Sequence, residues 1–260
     1  MKRTCIAACF LFAMLTALAP EAPCDSLDSV FQEGNNAFWN GNYKKAATLY
    51  KRLEDLGVRD STLAYNLGTA HARLGKLGMA VCYYERSLRI DPGNTDALHN
   101  LSVLREHLAR RASESGRDAD LAPAVSPWRA MLDRFSPRSA ALGFLVFHLA
   151  LFVVLMARRF VSREMPRLSL GVLAGVLAIL TMTTLALTIG KWHQETYVKE
   201  AVVIAEGQLD VMEGPASTVK RFALEEGSRI LILVDNESWI RLLDSEGRDG
   251  WVPSSDLGKI

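Results

Sequence analysis

Side chains able to do chemistry are few in this sequence, and they do not converge. His71, His99 and His107 have a spacing that does not match a metal-ligand pattern, so we interpret them as polar residues on helix surfaces. No HExxH, paired CxxC, GxSxG or phosphate-binding glycine loop occurs in the 260 residues. We therefore predict no catalytic residue, no metal site and no cofactor, and we expect that the protein is not an enzyme.

Amide side chains form a more regular pattern. Gln32, Asn66 and Asn100 follow one another at intervals of 34 residues. An amide offers both a donor and an acceptor, so a row of amides suits the backbone of a bound peptide. We predict a peptide-binding groove at these residues. The alternative is that the amides hydrogen-bond neighbouring helices together.

The same interval relates other residues and defines the elements that carry the amides. The pairs are Gly34 and Gly68, Gly41 and Gly75, Ala46 and Ala80, and Tyr50 and Tyr84. Small residues at fixed offsets let two helices approach closely, and aromatic residues fill the space between neighbouring repeats. A period of this length predicts stacked helix pairs.

The pattern resembles the tetratricopeptide repeat (TPR), which presents a groove to partners. The matching residues of the second repeat are Asn66, Leu67, Gly68, Ala70, Gly75, Ala80, Tyr84, Leu88 and Pro92. The first repeat matches less well, and a third helix is expected to cap the array, which gives a TPR domain at 25–112. Some TPR domains clamp a partner's carboxylate, and Asn35 and Asn66 match the two Asn positions of that clamp. The basic positions of that clamp are filled here by Phe31, Asp96 and Asn100. We therefore expect no recognition of chaperone tails.

The N-terminal segment is typical of an export signal. Lys2 and Arg3 precede an apolar run, and small and Pro-rich residues follow it, which predicts a signal peptide at 1–24. The alternatives are an uncut anchor and a lipid-acceptor role for Cys24.

Two longer apolar runs, at 139–157 and 168–190, are each long enough to cross a bilayer as a helix. The loop 158–167 between them carries four Arg residues and one Glu. Because positive residues in short loops stay in the cytoplasm, we predict a cytoplasmic loop and extracytoplasmic (periplasmic) domains on both sides. The signal peptide requires the same orientation. The sequence therefore predicts a multi-pass protein of the bacterial cytoplasmic (inner) membrane.

Three residues of these runs are candidates for packing inside the membrane. His148 lies near the middle of the first run, and we expect it to stay neutral and hydrogen-bond to a threonine of the second run, although an intramembrane His can also be functional. The available threonines are Thr181, Thr183 and Thr184. Gly171 and Gly175 form a GxxxG pair that would let another helix approach, either the first run or another protein.

The segment 113–138 joins the repeats to the first apolar run. Its first part is rich in Ser, Asp, Gly, Ala and Pro, which is typical of a linker. Trp128, Met131, Leu132 and Phe135 then recur at i, i+3, i+4 and i+7. This spacing predicts a short helix on the outer membrane surface, and the alternative is an ordinary helix docked on protein.

The last domain, at 201–260, consists of short alternating apolar runs separated by Gly, Asp and Asn turns, which predicts a small β-barrel of about five strands. Its turn glycines and the sequence DGWVP at 249–253 resemble the bacterial SH3 (SH3b) pattern. Trp239 and Trp251 are candidates for the groove of such a domain, as in peptide-binding relatives. The core is the alternative location, which we favour for Trp251 because a small barrel needs its large rings inside.

The order of these parts resembles the BatE component of the bacterial aerotolerance (Bat) operon. The resemblance implies a multidomain membrane protein with an α-helical TPR array, a two-helix transmembrane hairpin and a small all-β SH3-like barrel. It also implies a non-catalytic scaffold that binds other membrane proteins, such as Bat-operon components, in envelope or oxidative-stress tolerance. The alternative is an envelope sensor whose SH3-like domain binds peptidoglycan or a cell-wall peptide. The net charge of +1 does not indicate nucleic acid, and we expect none as a partner.

Overall fold

The structure is a computed structural model that describes residues 24–116, 135–197 and 199–260. The predicted signal peptide, except for Cys24, and the predicted surface helix, except for Phe135, lie outside the described residues. The described residues fall into two compact units, one that ends at Gly57 and one that begins at Val58.

Seven α-helices form within the described residues, two in the first unit and five in the second. They are α1 Cys24–Trp39, α2 Tyr43–Asp55, α3 Ser61–Arg73, α4 Leu77–Ile90, α5 Thr95–Glu114, α6 Pro137–Phe160 and α7 Glu164–Tyr197. Helices α3 and α5 begin after Asp60 and Asn94, whose side chains accept hydrogen bonds from free backbone N–H groups of the first turn.

In the first unit, α1 and α2 pack as a close pair. A Cβ atom on Gly34 would come within 2.6 Å of the Tyr50 ring, so only glycine fits there. The Tyr50 hydroxyl donates a hydrogen bond of 2.7 Å to the side-chain oxygen of Asn35. Burial raises the pKa of Tyr50 to about 12, so this hydroxyl keeps its proton.

The second unit repeats this arrangement between α3 and α4. A Cβ atom on Gly68 would come within 2.8 Å of the Tyr84 ring. Gly41 and Gly75, which end α1 and α3, share a φ of 76° that favours glycine. Equivalent residues thus make equivalent contacts, as expected for TPR-like repeats. Helix α5 follows and buries one apolar face; the buried residues are Ala97, Leu101, Leu104, Leu108 and Ala112.

Helices α6 and α7 are long, apolar and packed on each other. Arg138–Phe160 and Glu164–His193 are long and apolar enough to cross a membrane, by length and composition. Both exceed the predicted runs at 139–157 and 168–190. Ser136 caps α6 by accepting a hydrogen bond from the Ser139 N–H, and Pro137 occupies a first-turn position that needs no N–H donor.

The C-terminal residues form one antiparallel sheet, here named the sheet domain (residues 200–260). Its strands are β1 Glu200–Val203, β2 Gln208–Met212, β3 Lys220–Glu225, β4 Arg229–Asp235, β5 Trp239–Leu243, β6 Asp249–Pro253 and β7 Leu257–Lys259. The order β3-β2-β6-β5-β4-β1-β7 leaves β3 and β7 as the outer strands. The prediction of about five strands was therefore too low, and the pairing within the described residues does not close a barrel.

The sheet domain also packs on the repeat helices. Strand β1 is buried along its whole length, because alternate residues serve two cores. Ala201 and Val203 belong to the core of the sheet domain, whereas Val202 belongs to the core formed by α4 and α5. The sequence interpretation treated the two domains as separate, and it missed this interface.

Candidate functional site

Helices α3, α4 and α5 surround an open groove of about 380 Å³, here named the repeat groove. Its lining residues are Thr69, Ala72, Arg73, Leu77, Tyr84, Asn100, Val103, Leu104 and His107. Val103 is 51% exposed, so part of the apolar wall is in contact with solvent. The lining includes Arg73 and His107 but no carboxylate.

A chain of polar side chains crosses this groove. The Tyr84 hydroxyl donates to the Thr69 hydroxyl at 3.2 Å. The Asn100 amide donates to the hydroxyls of Tyr65 and Tyr84 at 3.3 and 3.5 Å. Burial raises the pKa of Tyr84, so its hydroxyl remains protonated and available as a donor. Since both bonds from Asn100 are long, a carbonyl of a bound peptide can compete for the amide.

The four predicted groove amides have different surroundings. Asn100 lines the repeat groove and also hydrogen-bonds α5 to α3 and α4. Its position therefore fits both interpretations of the amide row, a groove residue and a link between helices. Asn66 is half-buried on α3 and is not among the residues that line the groove. In the first unit, Asn35 accepts the hydrogen bond from Tyr50, whereas Gln32 is exposed. The peptide-binding role of the four stays a prediction.

Trp239 and Trp251 lie on the outer face of the sheet domain. Their neighbours Ile240 and Val252 fill the core, and alternation along a strand sends the two tryptophans to the opposite side. Both rings are half-buried. The core location that we favoured for Trp251 is therefore wrong, because Val252 occupies that side of β6.

An ion cluster adjoins Trp251 on this outer face. Arg241 faces Trp251 across the β5–β6 pair and donates from Nε to the Asp249 carboxylate at 2.9 Å. Arg221 contacts the same carboxylate at 3.0 Å. The hydrogen bond from Arg241 holds the pKa of Asp249 below its usual range. The outer face thus combines aromatic surface with fixed charges.

The residues of the apolar hairpin differ from expectation. His148 is exposed and stacks on Phe144, with ring centroids 5.6 Å apart. The threonine hydroxyls expected to bind it instead donate to backbone carbonyls of their own helix, which lie within reach one turn earlier. Gly171 lies against Arg158, but a Cβ atom on Gly175 would meet nothing within 4 Å. The GxxxG pair is therefore only partly used between α6 and α7.

The interface that the sequence interpretation missed centres on Glu226. Its buried carboxylate accepts a hydrogen bond of 2.7 Å from the Gly78 N–H at the start of α4. It also accepts one of 3.2 Å from the Gly207 N–H and lies 3.5 Å from Arg111. A Cβ atom on Gly78 would come within 2.6 Å of the Val203 carbonyl oxygen. Within the residues that the structure describes, no group of three or more potential metal-ligating side chains occurs.

Comparisons with known proteins give partial matches. The chain is 30% identical over 93 residues to the photosystem I assembly protein Ycf3 of Rippkaea orientalis, which covers 35% of this chain and 54% of the relative. It is 29% identical over 91 residues to the protein of the same name from Synechococcus elongatus, which covers 34% and 53%. The chain thus spans about half the length of the curated relatives it matches. This similarity supports TPR-like helical repeats over about a third of the chain. No protein-family model matches the chain.

Proposed function

We propose that the protein is a membrane-anchored, non-catalytic scaffold that holds a partner protein in the repeat groove. The observation that carries the proposal is the open groove itself, with exposed Val103 beside the Asn100 amide. An extended peptide gains apolar contact from the first and backbone hydrogen bonds from the second. The relatives Ycf3 are named assembly proteins, which fits a repeat that holds partners together.

The resemblance to BatE supports a proposal for the class of partner. We propose other membrane proteins of the Bat type, in a complex that protects the bacterial envelope against oxidative stress. The absence of convergent acid, base, nucleophile or metal ligands in the sequence supports a role without catalysis.

A photo-cross-linking residue at position 103 tests the groove in intact cells. We expect a discrete adduct with another membrane protein, identified by mass spectrometry. A matched residue at position 106 replaces Glu106, which lies on the same helix with a largely exposed side chain paired to Arg110. Adducts of equal yield at the two positions, or none at position 103, contradict the proposal.

The proposed location is the inner membrane, with α6 and α7 as spans and the residues 158–167 in the cytoplasm. Four arginines in that loop support this orientation. A cysteine introduced at Ser162 should resist an impermeant thiol reagent in intact spheroplasts and react after lysis. Labelling before lysis contradicts the orientation.

The outer face of the sheet domain favours a second candidate function, an envelope sensor that binds peptidoglycan. Trp239 and Trp251 share that face with Arg241, and half-exposed tryptophan rings are enriched at binding interfaces. The full chain should then sediment with purified sacculi, and Trp251→Ala should abolish this. Sedimentation that is the same with and without the substitution contradicts this candidate.

A further inference from the structure

The repeat groove is basic at one end. Arg73 and His107 both line it and are 34 residues apart, so they occupy the same position in two successive repeats. Short connections join α3 to α4 and α4 to α5, so neighbouring helices are antiparallel and α3 runs in the same direction as α5. Arg73 follows the groove residue Thr69 by one helical turn, and His107 follows Val103 in the same way. The two basic side chains therefore share one end of the groove.

No acidic side chain offsets these two residues. Among the described residues, the groove lining contains no carboxylate, and the side chains of Arg73 and His107 form no ion pair or hydrogen bond. Both residues are exposed. Burial raises the pKa of Tyr84, and the charge of Arg73 acts on the same hydroxyl in the opposite direction. The positive field of Arg73 thus reaches into the groove, where it has no counter-charge.

Three kinds of contact follow one another along α5. They are the Asn100 amide, the exposed Val103 side chain and His107. At about 1.5 Å per residue, His107 lies about 10 Å further along the helix axis than Asn100. An extended peptide rises about 3.3 Å per residue, so about three of its residues cover this distance. A peptide whose backbone carbonyl accepts from Asn100 therefore passes over Val103 and brings a side chain to the basic end.

We propose that the repeat groove recognises an acidic segment of its partner. In this segment a Glu or Asp lies about three residues from the backbone group that Asn100 binds, with an apolar residue between them. A guanidinium group binds a carboxylate through two parallel hydrogen bonds, and a histidine has an N–H donor in either charge state. The inference rests on the proposed function, because it names the chemistry of the segment that the groove holds.

This site differs from the TPR clamp for a terminal carboxylate. The basic positions of that clamp carry no basic residue here, whereas Arg73 and His107 lie at a different position of the repeat. They line an open groove beside apolar surface, so they can bind a side chain in the middle of a segment. The charge of the partner's side chain, rather than its terminus, is then what the groove selects.

A library of synthetic peptides with blocked termini tests this selectivity. Decapeptides randomised over Ala, Val, Leu, Ser, Glu and Lys are captured on the full chain in detergent, and mass spectrometry identifies the captured sequences. The blocked termini exclude capture through a terminal carboxylate. We expect enrichment of Glu over Lys, with an apolar residue within about three positions of the Glu. Captured peptides without a preference for Glu, or no captured peptide, overturn the proposal.

Reversal of the charge at position 73 localises the preference. Arg73→Glu should weaken the capture of Glu-containing peptides about tenfold and favour Lys-containing ones. Arg73→Gln should cause a smaller loss in the same direction, about threefold, and it leaves the exposed end of α3 without an added negative charge. Lys44→Glu, at an exposed position of α2, makes the same change in net charge and should keep the preference. Equal capture by Arg73→Glu and the natural chain, or an equal loss in Lys44→Glu, overturns the assignment.

The proposed function and this inference fail in different ways. If the library shows no preference for Glu while position 103 still cross-links to a membrane protein, the acidic specificity is wrong and the scaffold function stands. If position 103 gives no adduct in cells, the scaffold function fails, whereas capture that switches with Arg73→Glu still supports a site for acidic peptides. Where an adduct forms, its cross-linked segment should contain a Glu or Asp within about three residues of the attachment point. A segment without one overturns the inference.

Discussion

The second helices of the two repeats, α2 and α4, share one motif, but equivalent positions on one face differ in their burial. Positions 34 residues apart carry Lys44 and Gly78, and also Thr48 and Cys82. Lys44 and Thr48 of α2 are exposed, whereas Gly78 and Cys82 of α4 are buried. The same face of a TPR-like helix can therefore be exposed to solvent when it carries polar residues, or pack against a sheet when it carries small ones.

The starts of the two helices differ in the same way. Asn42 caps α2 with its own side chain, which accepts a hydrogen bond from the Lys45 N–H. Lys76, at the same position of α4, makes no side-chain cap. Glu226 of the sheet domain supplies the acceptor instead, and its negative charge also suits a helix N-terminus. The second repeat is thus completed by a distant segment of the chain.

Among the substitutions that test this comparison, Gly78→Ala should cause the largest loss of stability. The new Cβ atom would collide with the backbone of β1, and we expect a loss of about 3 kcal/mol in the free energy of unfolding. Urea unfolding of the full chain in detergent measures it. Lys44→Ala, at the equivalent exposed position of α2, should change stability by less than about 0.5 kcal/mol. Equal losses of unfolding free energy in Gly78→Ala and Lys44→Ala would contradict the difference in burial between the two helices.

A pH effect should also distinguish the repeats, because His71 occupies the position of Ala37 in the first repeat. Burial, and then the charge of Lys76, lower the pKa of His71 to about 4. The unfolded chain binds the proton near pH 6.5, so acid favours unfolding below that pH. Stability should fall by about 2 kcal/mol between about pH 7.5 and 5 through this group.

Substitution of the ring tests this pH dependence. His71→Phe keeps the stacking on Tyr83, whose ring is parallel at 5.3 Å, and it should remove most of the fall. His107→Gln, an exposed histidine of α5, serves as the control and should retain it. An unchanged pH profile in His71→Phe would exclude this residue as the cause.

The smallest effect is expected for the distant cap. Glu226→Gln keeps an acceptor for the Gly78 N–H but removes the charge, so we expect a loss of about 1 kcal/mol. Glu206→Gln, an exposed residue of the neighbouring turn, is the matched control. Hydrogen exchange at the Gly78 amide should accelerate in Glu226→Gln alone. Acceleration in both variants would contradict a specific cap.

The sequence predicted the repeats because glycine and tyrosine each have a distinct role there. Gly34 and Gly68 leave room for Tyr50 and Tyr84, so both partners are visible as residue types. The interface on α4 was not predicted, because the partner of Glu226 is a backbone N–H, which any residue can supply. The change from Lys44 to Gly78 was the available signal.

The sheet domain shows a similar limit. The alternating pattern in β5 and β6 predicted strands, but it did not determine which alternate set faces inward. A large ring such as Trp251 fits a core by volume, yet Val252 takes that side because it shares the core with Ile240. For the repeat groove, periodicity located Asn100, whereas its bonds to Tyr65 and Tyr84 depend on packing between helices.

The distant cap has a consequence for the biogenesis of the protein. The contact between Gly78 and Glu226 joins residues 148 positions apart, so it closes a long loop and can form only after most of the chain has been synthesised. Under the proposed topology, the chain must also cross the membrane twice before Glu226 reaches α4. Until then, α4 of the second repeat has an uncapped N-terminus and an exposed apolar face. Such partly folded states aggregate readily and are bound by chaperones. The first helix pair, with its own cap at Asn42, has no such delay.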